Sequence, residues 1–262
     1  MSEKVYESRA VTLVCPKHGE YTGEAILVGA DGQELNPACP VCEAESGAKK
    51  RREEEEREKR HMIQRCRSMN IEPKFYGASF ENFDAYNGEL RRHLRTCREF
   101  AKKPDGKIVM LGENGNGKTH LAVSILKETG GAIYLAYEIG ILLRQSYGGT
   151  TKEWEVFNEL CTVPLLVIDE VEKIRDSEAK RNWLSYVVNK RYNRLLPIVF
   201  IANCHTQAEC GEAQKPCPRC IESHLENDVL SRIIEDGTVM NFTGADYRAK
   251  IRETREKGAE NA

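Results

Sequence analysis

No apolar run in this chain approaches the roughly 20 residues a helix needs to span a bilayer. The longest candidate, AIYLAYEIGILL, carries Glu138. The N-terminal stretch MSEKVYESRA is polar and charged, with nothing apolar to read as a secretory signal. An excess of one charge sign is missing too, the formal net charge being −2. The overall field would not draw nucleic acid in, so any such contact falls to local basic patches. These absences set the expectation of a soluble, cytoplasmic protein without a membrane partner.

Cysteine, by contrast, is plentiful: ten occur in 262 residues. In a reducing compartment, cysteines in CxxC pairs are more often metal ligands than disulfide partners. Cys15-Pro-Lys-His18 and Cys39-Pro-Val-Cys42 present four ligands as two knuckles. The two-residue spacings let both side chains of a pair face one ion, and a Cys3His set is a closed, structural zinc site. A unit of residues 1–46 has little core of its own, so the metal is expected to supply much of its folding energy. A second group lies in CHTQAECGEAQKPCPRCIESH (204–224). Cys210, Cys217 and Cys220 are the expected zinc ligands there, with His205 favoured over His224 as the fourth. Cys66, Cys97 and Cys161 stand alone and read as small hydrophobes.

Residues 47–69 form a dense charge run in which Glu53/Arg57, Glu55/Lys59 and Glu56/Arg60 fall at i,i+4 in the favourable order. This predicts a solvated helical linker. From about residue 70 the texture changes. KIVMLG (107–112), AIYLAY (132–137), LLVIDE (165–170), PIVFIAN (197–203) and TVMNF (238–242) read as strands separated by helical patterns at 120–130 and about 177–194. Leu142 and Leu143 belong to a short helix before the turn at Gly148-Gly149. Trp154, Phe157, Leu160 and Cys161 share helical spacing and are expected in the core. Alternating strands and helices predict an α/β fold with a parallel sheet flanked by helices.

The first of these strands runs into Gly112-Glu113-Asn114-Gly115-Asn116-Gly117-Lys118-Thr119. Glycines allow a tight path on which successive N–H groups converge, and that nest plus the following helix N-terminus binds phosphate oxygens. Lys118 can reach the β- and γ-phosphates and the Thr119 hydroxyl can ligate Mg²⁺. His120 is expected to cover the edge of the nucleotide. Asp169 closes an apolar strand at the end where open α/β sheets bind ligands, and would hold the magnesium through water. Glu170 beside it would orient and deprotonate an attacking water. Asn203 at the end of the next strand would touch the γ-phosphate and that water.

In the motifs GENGNGKTHLA, LLVIDE, VFIAN, NDVLSRIIEDG and FTGADYR, with ASFENF at 78–83, the chain resembles the AAA+ P-loop ATPases of the DnaC/IstB group, over roughly residues 70–250. The resemblance implies an ATPase, hydrolysing ATP slowly and stimulated by DNA or partner, that loads the replicative hexameric DNA helicase on single-stranded DNA. It assigns Arg232 as the arginine finger reaching a neighbour's γ-phosphate, and Arg248 as the sensor arginine acting in its own subunit. Only 20 residues follow TVMNF, too few for the helical lid of many related ATPases, so self-association through the ATP site is expected. Some loaders of this group also carry an N-terminal zinc domain that grips the helicase. The expected organisation is thus a partner-docking zinc domain (1–46), the linker (47–69), and an AAA+ domain (70–262) with a Cys-rich insertion at 204–224. Tyr147, Lys173, Arg175, Lys180 and Arg181 are candidate contacts to single-stranded DNA. An IstB-type transposition helper shares the core and is the alternative. A small-molecule P-loop kinase is disfavoured by the Asp169-Glu170 pair, Asn203 and Arg232.

Overall fold

A computed structural model describes residues 8–28, 33–146, 153–174, 178–212, 216–235, 237–244 and 246–247. It divides into two compact units, Met1–Ile63 and Gln64–Ala262.

The first unit is an antiparallel meander of β1 (Ser8–Cys15), β2 (Gly19–Val28) and β3 (Gln33–Leu35), followed by the start of α1 (Pro40–Ser68). Its strands alternate: Val11, Leu13 and Cys15 turn inward while Thr12 and Val14 face out. Among its described residues the buried apolar side chains are Cys15, Ala25 and Cys39. That is too small a core to hold a fold by itself. Ion pairs Lys49–Glu53 (3.8 Å), Glu54–Arg57 (3.3 Å) and Glu56–Arg60 (3.6 Å) line the exposed helix, each worth a few tenths of a kcal/mol. The helix starts at Pro40, so Cys42 stands in its first turn.

The second unit is built on five parallel strands: β4 (Lys107–Gly112), β5 (Gly131–Leu135), β6 (Leu165–Asp169), β7 (Ile198–Ala202) and β8 (Gly237–Phe242). Their spatial order is β5-β6-β7-β4-β8. Helices cover both faces, which is why the central strands are apolar without alternation. Val109 and Leu111 of β4 join Ile168, Phe200, Trp183 and Val187 on one face. Ile108 and Met110 join Val167, Val199, Leu121 and Ile125 on the other. On this second face lie α2 (Gly88–Lys102) and α3 (Lys118–Thr129). On the first lie α4 (Ala136–Ser146), α5 (Glu153–Thr162), α6 (Glu178–Asn193) and α7 (Asn227–Glu235). Each fully buried Leu, Ile or Val contributes about 1.5–3 kcal/mol. No helix among the described residues is long and apolar enough to cross a membrane.

Several boundaries differ from the sequence reading. β5 stops at Leu135, and Tyr137 and Glu138 belong to α4. Trp154 is not in the core but 66% exposed, whereas Leu160 and Cys161 on the same helix are buried. Tyr147, Gly148, Gly149, Arg175 and Arg248 lie outside the described residues, as do the side chains of Lys180 and Arg181. Cys66, Cys97 and Cys161 are buried, and burial pushes the Cys97 thiol up to about 12, far from a reactive thiolate.

Candidate functional site

All five strands point their C-terminal ends to one rim, and the glycine loop leaves β4 there. Gly117 caps α3 at φ +89°, a backbone region that side chains disfavour. A Cβ at this position would also meet the Phe83 ring at 2.6 Å. The loop is anchored at its start and at its middle: the Gly112 N–H donates to the Cys204 carbonyl at 2.9 Å, and the Tyr247 N–H donates to the Gly115 carbonyl at 2.9 Å. Asn116 donates its amide to the Phe242 carbonyl at 2.9 Å. Lys118 Nζ donates to the Gly112 and Glu113 carbonyls at 2.7 and 2.6 Å and to Asn116 Oδ1 at 3.0 Å.

Thr119 Oγ1 donates to Asp169 Oδ2 at 2.9 Å. Asp169 is buried, and burial raises its carboxyl pKa although Thr119 and the Glu170 N–H pull it down. A hydroxyl and a desolvated carboxylate side by side are the hard oxygen donors that Mg²⁺ prefers, so the pair fits that ion. Glu170 follows in the left-handed region at φ +56° and ion-pairs with Lys173 at 2.8 Å. That pairing raises the Lys173 pKa, and Lys173 also lines the cleft.

These groups line one end of a cleft of about 590 Å³. Phe75, Phe83, Tyr86, Leu90, Val123 and Ile133 line another part. His120 Nε2 lies 2.8 Å from the Ser79 carbonyl and its ring meets Phe83 edge-on at 5.4 Å. It thereby holds the ASFENF segment against the loop. A cleft with polar loop groups at one side and aromatic walls at the other suits a nucleotide. Asn203 also lines it, with both its main-chain N–H and its side-chain amide bonded to Glu172. Glu172 was not singled out from sequence; one more carboxylate in an acidic stretch carries no signal. Arg232 is not among the lining residues. It stands partly exposed on α7, paired with Asp228 at 3.4 Å.

Both cysteine groups converge. The ligand atoms of Cys15, His18, Cys39 and Cys42 lie within 4.8 Å of one another, as do those of His205, Cys210, Cys217 and Cys220. Cys15–Cys42 and Cys217–Cys220 sulfurs are each 3.6 Å apart. Sulfur–nitrogen distances run from 3.3 to 3.7 Å. Tetrahedral zinc with Zn–S near 2.3 Å places its ligands about 3.5–3.8 Å apart, so both sets fit that ion. The Lys17 N–H holds the Cys15 thiol down at about 6, while its bond to that sulfur raises Cys42 to about 11. In the second set burial opposes ionisation of Cys210, but the Glu212 N–H and neighbouring ligands bring it to about 6. Glu45, also missed from sequence, lies 3.4 Å from His18 Nε2 and so turns Nδ1 toward the sulfurs. His224 is 2.9 Å from the Pro218 carbonyl instead of joining the second set.

A family profile described as IstB-like ATP binding protein matches residues 50–255. The replicative helicase loader DnaC of Escherichia coli (strain K12) is 28% identical over 163 residues, covering 58% of this chain and 66% of that protein, just under two thirds of its length. The insertion sequence IS5376 ATP-binding protein of Geobacillus stearothermophilus is 29% identical over 173 residues, covering 63% of this chain and 64% of that one. Among solved structures, the DnaC helicase loader superposes with a TM-score of 0.55 at 22% identity, covering 66% of this chain and all of that one. An AMPPCP-bound DnaA from Aquifex aeolicus gives 0.53 at 21% identity, covering 71% and 56%. At such identities the structures speak for the fold alone. The chain belongs to the IstB-like family of AAA+ P-loop ATPases.

Proposed function

We propose that this IstB-like ATPase delivers a replicative DNA helicase onto single-stranded DNA, using ATP to time the hand-over. The observation that carries the reading is the similarity to the DnaC loader across the ATPase core. The Cys3His unit at the N-terminus supports it, as a compact module suited to gripping a partner. Residues 1–46 are assigned to that docking, 47–69 to the linker, and 70–262 to the ATPase with its insertion at 204–224.

In the proposed reaction the loop N–H groups and Lys118 hold the β- and γ-phosphates. Thr119 and Asp169 would carry magnesium, which draws charge from the phosphate oxygens as the bond breaks. Glu170 leaves Lys173, orients a water and takes its proton as the oxygen attacks the γ-phosphorus; the β–γ bridging oxygen departs with ADP. Asn203 steadies the γ-phosphate and that water. Arg232, outside the lining of its own cleft, is assigned to the γ-phosphate of an adjacent subunit, and Arg248 to its own. Self-association on ATP is the consequence of that assignment. Arg232→Ala should leave nucleotide affinity unchanged and cut turnover about 10²-fold or more.

The deciding experiment is capture of the host replicative helicase by the tagged full-length protein with ATP and with ADP. Nucleotide-dependent capture supports loading; no capture in either state refutes it. The IS5376 relative favours a second reading, an ATPase that serves a transposase at duplex DNA. Transposase capture in place of helicase would select it.

A further inference from the structure

Three consecutive residues after β7 each touch a different part of the site. The Asn203 N–H and side-chain amide donate to the Glu172 carboxylate at 3.1 and 2.7 Å. The Cys204 carbonyl accepts the N–H of Gly112, where the phosphate loop begins. His205 carries a ligand atom of the second cluster. Its main chain is pinned on both sides, donating to the Arg219 carbonyl at 3.1 Å and accepting from the Ile221 N–H at 2.9 Å.

Between His205 and the core residues Ile221 and Leu225, the buried side chains among the described residues are the cysteines. Between 204 and 226 the helical structure among the described residues is two 3₁₀ turns, Gln207–Glu209 and Ile221–Ser223. Cys210, Cys217 and Cys220 form a buried cluster of their own, with no aliphatic or aromatic member. Three small thiols bury little apolar surface, so a metal that bonds them to His205 is the effective cross-link. A second anchor, the hydrogen bond from Asn241 to Glu209, ties the segment to β8, which pairs with β4 up to Gly112.

We infer that the metal-filled His205/Cys210/Cys217/Cys220 cluster is a positioning element of the nucleotide site: it fixes residues 203–205, and through them the Asn203 amide and the start of the phosphate loop. The inference rests on nucleotide binding in the cleft and not on which partner the protein serves. Coupling of this kind is reciprocal, so nucleotide must favour retention of this metal by the factor by which the metal favours nucleotide. The first cluster, in the other compact unit, serves as the internal control.

The test uses zinc-loaded full-length protein and a chromophoric chelator that reports released zinc, with and without a saturating non-hydrolysable ATP analogue. A fluorescent-nucleotide titration comes first. Expected are two zinc equivalents, one of them needing about fivefold or more chelator for its removal at equilibrium when nucleotide is bound. In Cys42→Ser protein the remaining equivalent should be the nucleotide-sensitive one. In Cys217→Ser protein it should be insensitive, with nucleotide affinity lowered by a similar factor. Protein that binds nucleotide yet yields both equivalents at unchanged chelator concentrations overturns the inference. So does a Cys217→Ser protein that has lost its metal and binds nucleotide like wild type. Should Cys217→Ser fail to fold, the wild-type chelator competition still decides. No binding in the first titration would instead sink the reading of the cleft, and the coupling with it.

Discussion

Arg191 offers a perturbation whose size can be worked out from contacts alone. Its side chain is fully buried on α6, with no carboxylate against it among the described residues. The guanidinium donates to the carbonyls of Leu160, Val163, Pro164 and Pro197 at 3.0, 2.9, 3.2 and 2.7 Å. Those carbonyls lie just before β6 and β7, at the rim opposite the nucleotide cleft. Burial lowers its pKa to about 10, a sign that the charge itself is held at a cost. Arg191→Met keeps the stem and removes the fork, leaving four carbonyls short of a donor. Hydrogen bonds to a charged group contribute about 1.5–3 kcal/mol each, and breaking a buried arrangement costs about 3–5 kcal/mol in total. Relief of the buried charge offsets part of this, so a net loss of about 3 kcal/mol is expected. For a unit of this size that lowers Tm by roughly 6–12 °C. Urea and thermal unfolding measure the loss, and a fluorescent-nucleotide titration at 15 °C should give wild-type affinity. A loss below about 1 kcal/mol would refute the account of Arg191 as the clamp on the strand starts. A large change in affinity with intact fold would refute the separation of the two rims.

Gly117→Ala should destabilise by about 1–3 kcal/mol and weaken nucleotide binding, since it combines a positive φ with a contact on Phe83; calorimetry and titration check both. Burial raises the Asp169 pKa above 3.8, so magnesium–nucleotide affinity should fall on acidification sooner than for an exposed carboxylate, and Asp169→Asn should flatten the profile. The stability effect has the opposite sign. The folded chain holds this proton more tightly than the unfolded one, so the metal-free fold is favoured below 3.8 and loses that contribution as pH rises through the raised value. Stripping zinc with a chelator should expose residues 8–46 to proteases, because Cys15, Ala25 and Cys39 alone make too small a core; cleavage mapped by mass spectrometry reads this out.

The glycine loop and the five strands were legible because strands buried on both faces read as unbroken apolar runs. The end of β5 was not: Leu135 passes straight into α4 without a glycine or proline to mark the turn. Trp154 misled because helical spacing says which residues share a face and not whether that face is covered. Both Cys/His sets could be picked out from knuckle spacing, and His205, favoured in sequence over His224, is the one the fold brings to the sulfurs. Glu45, Glu172 and the aromatic cleft wall were out of reach, since each acts on a group distant in sequence.

Glu170 sits in a left-handed conformation that costs a residue with a Cβ about 1–2 kcal/mol. Glycine would relax that kink and asparagine would tolerate it better, yet neither can accept a proton from water. If Glu170 takes the proton as proposed, a laboratory selection for heat tolerance alone would therefore drift toward inert protein at this position. Any campaign to toughen the molecule should hold residue 170 fixed and look for its gains elsewhere.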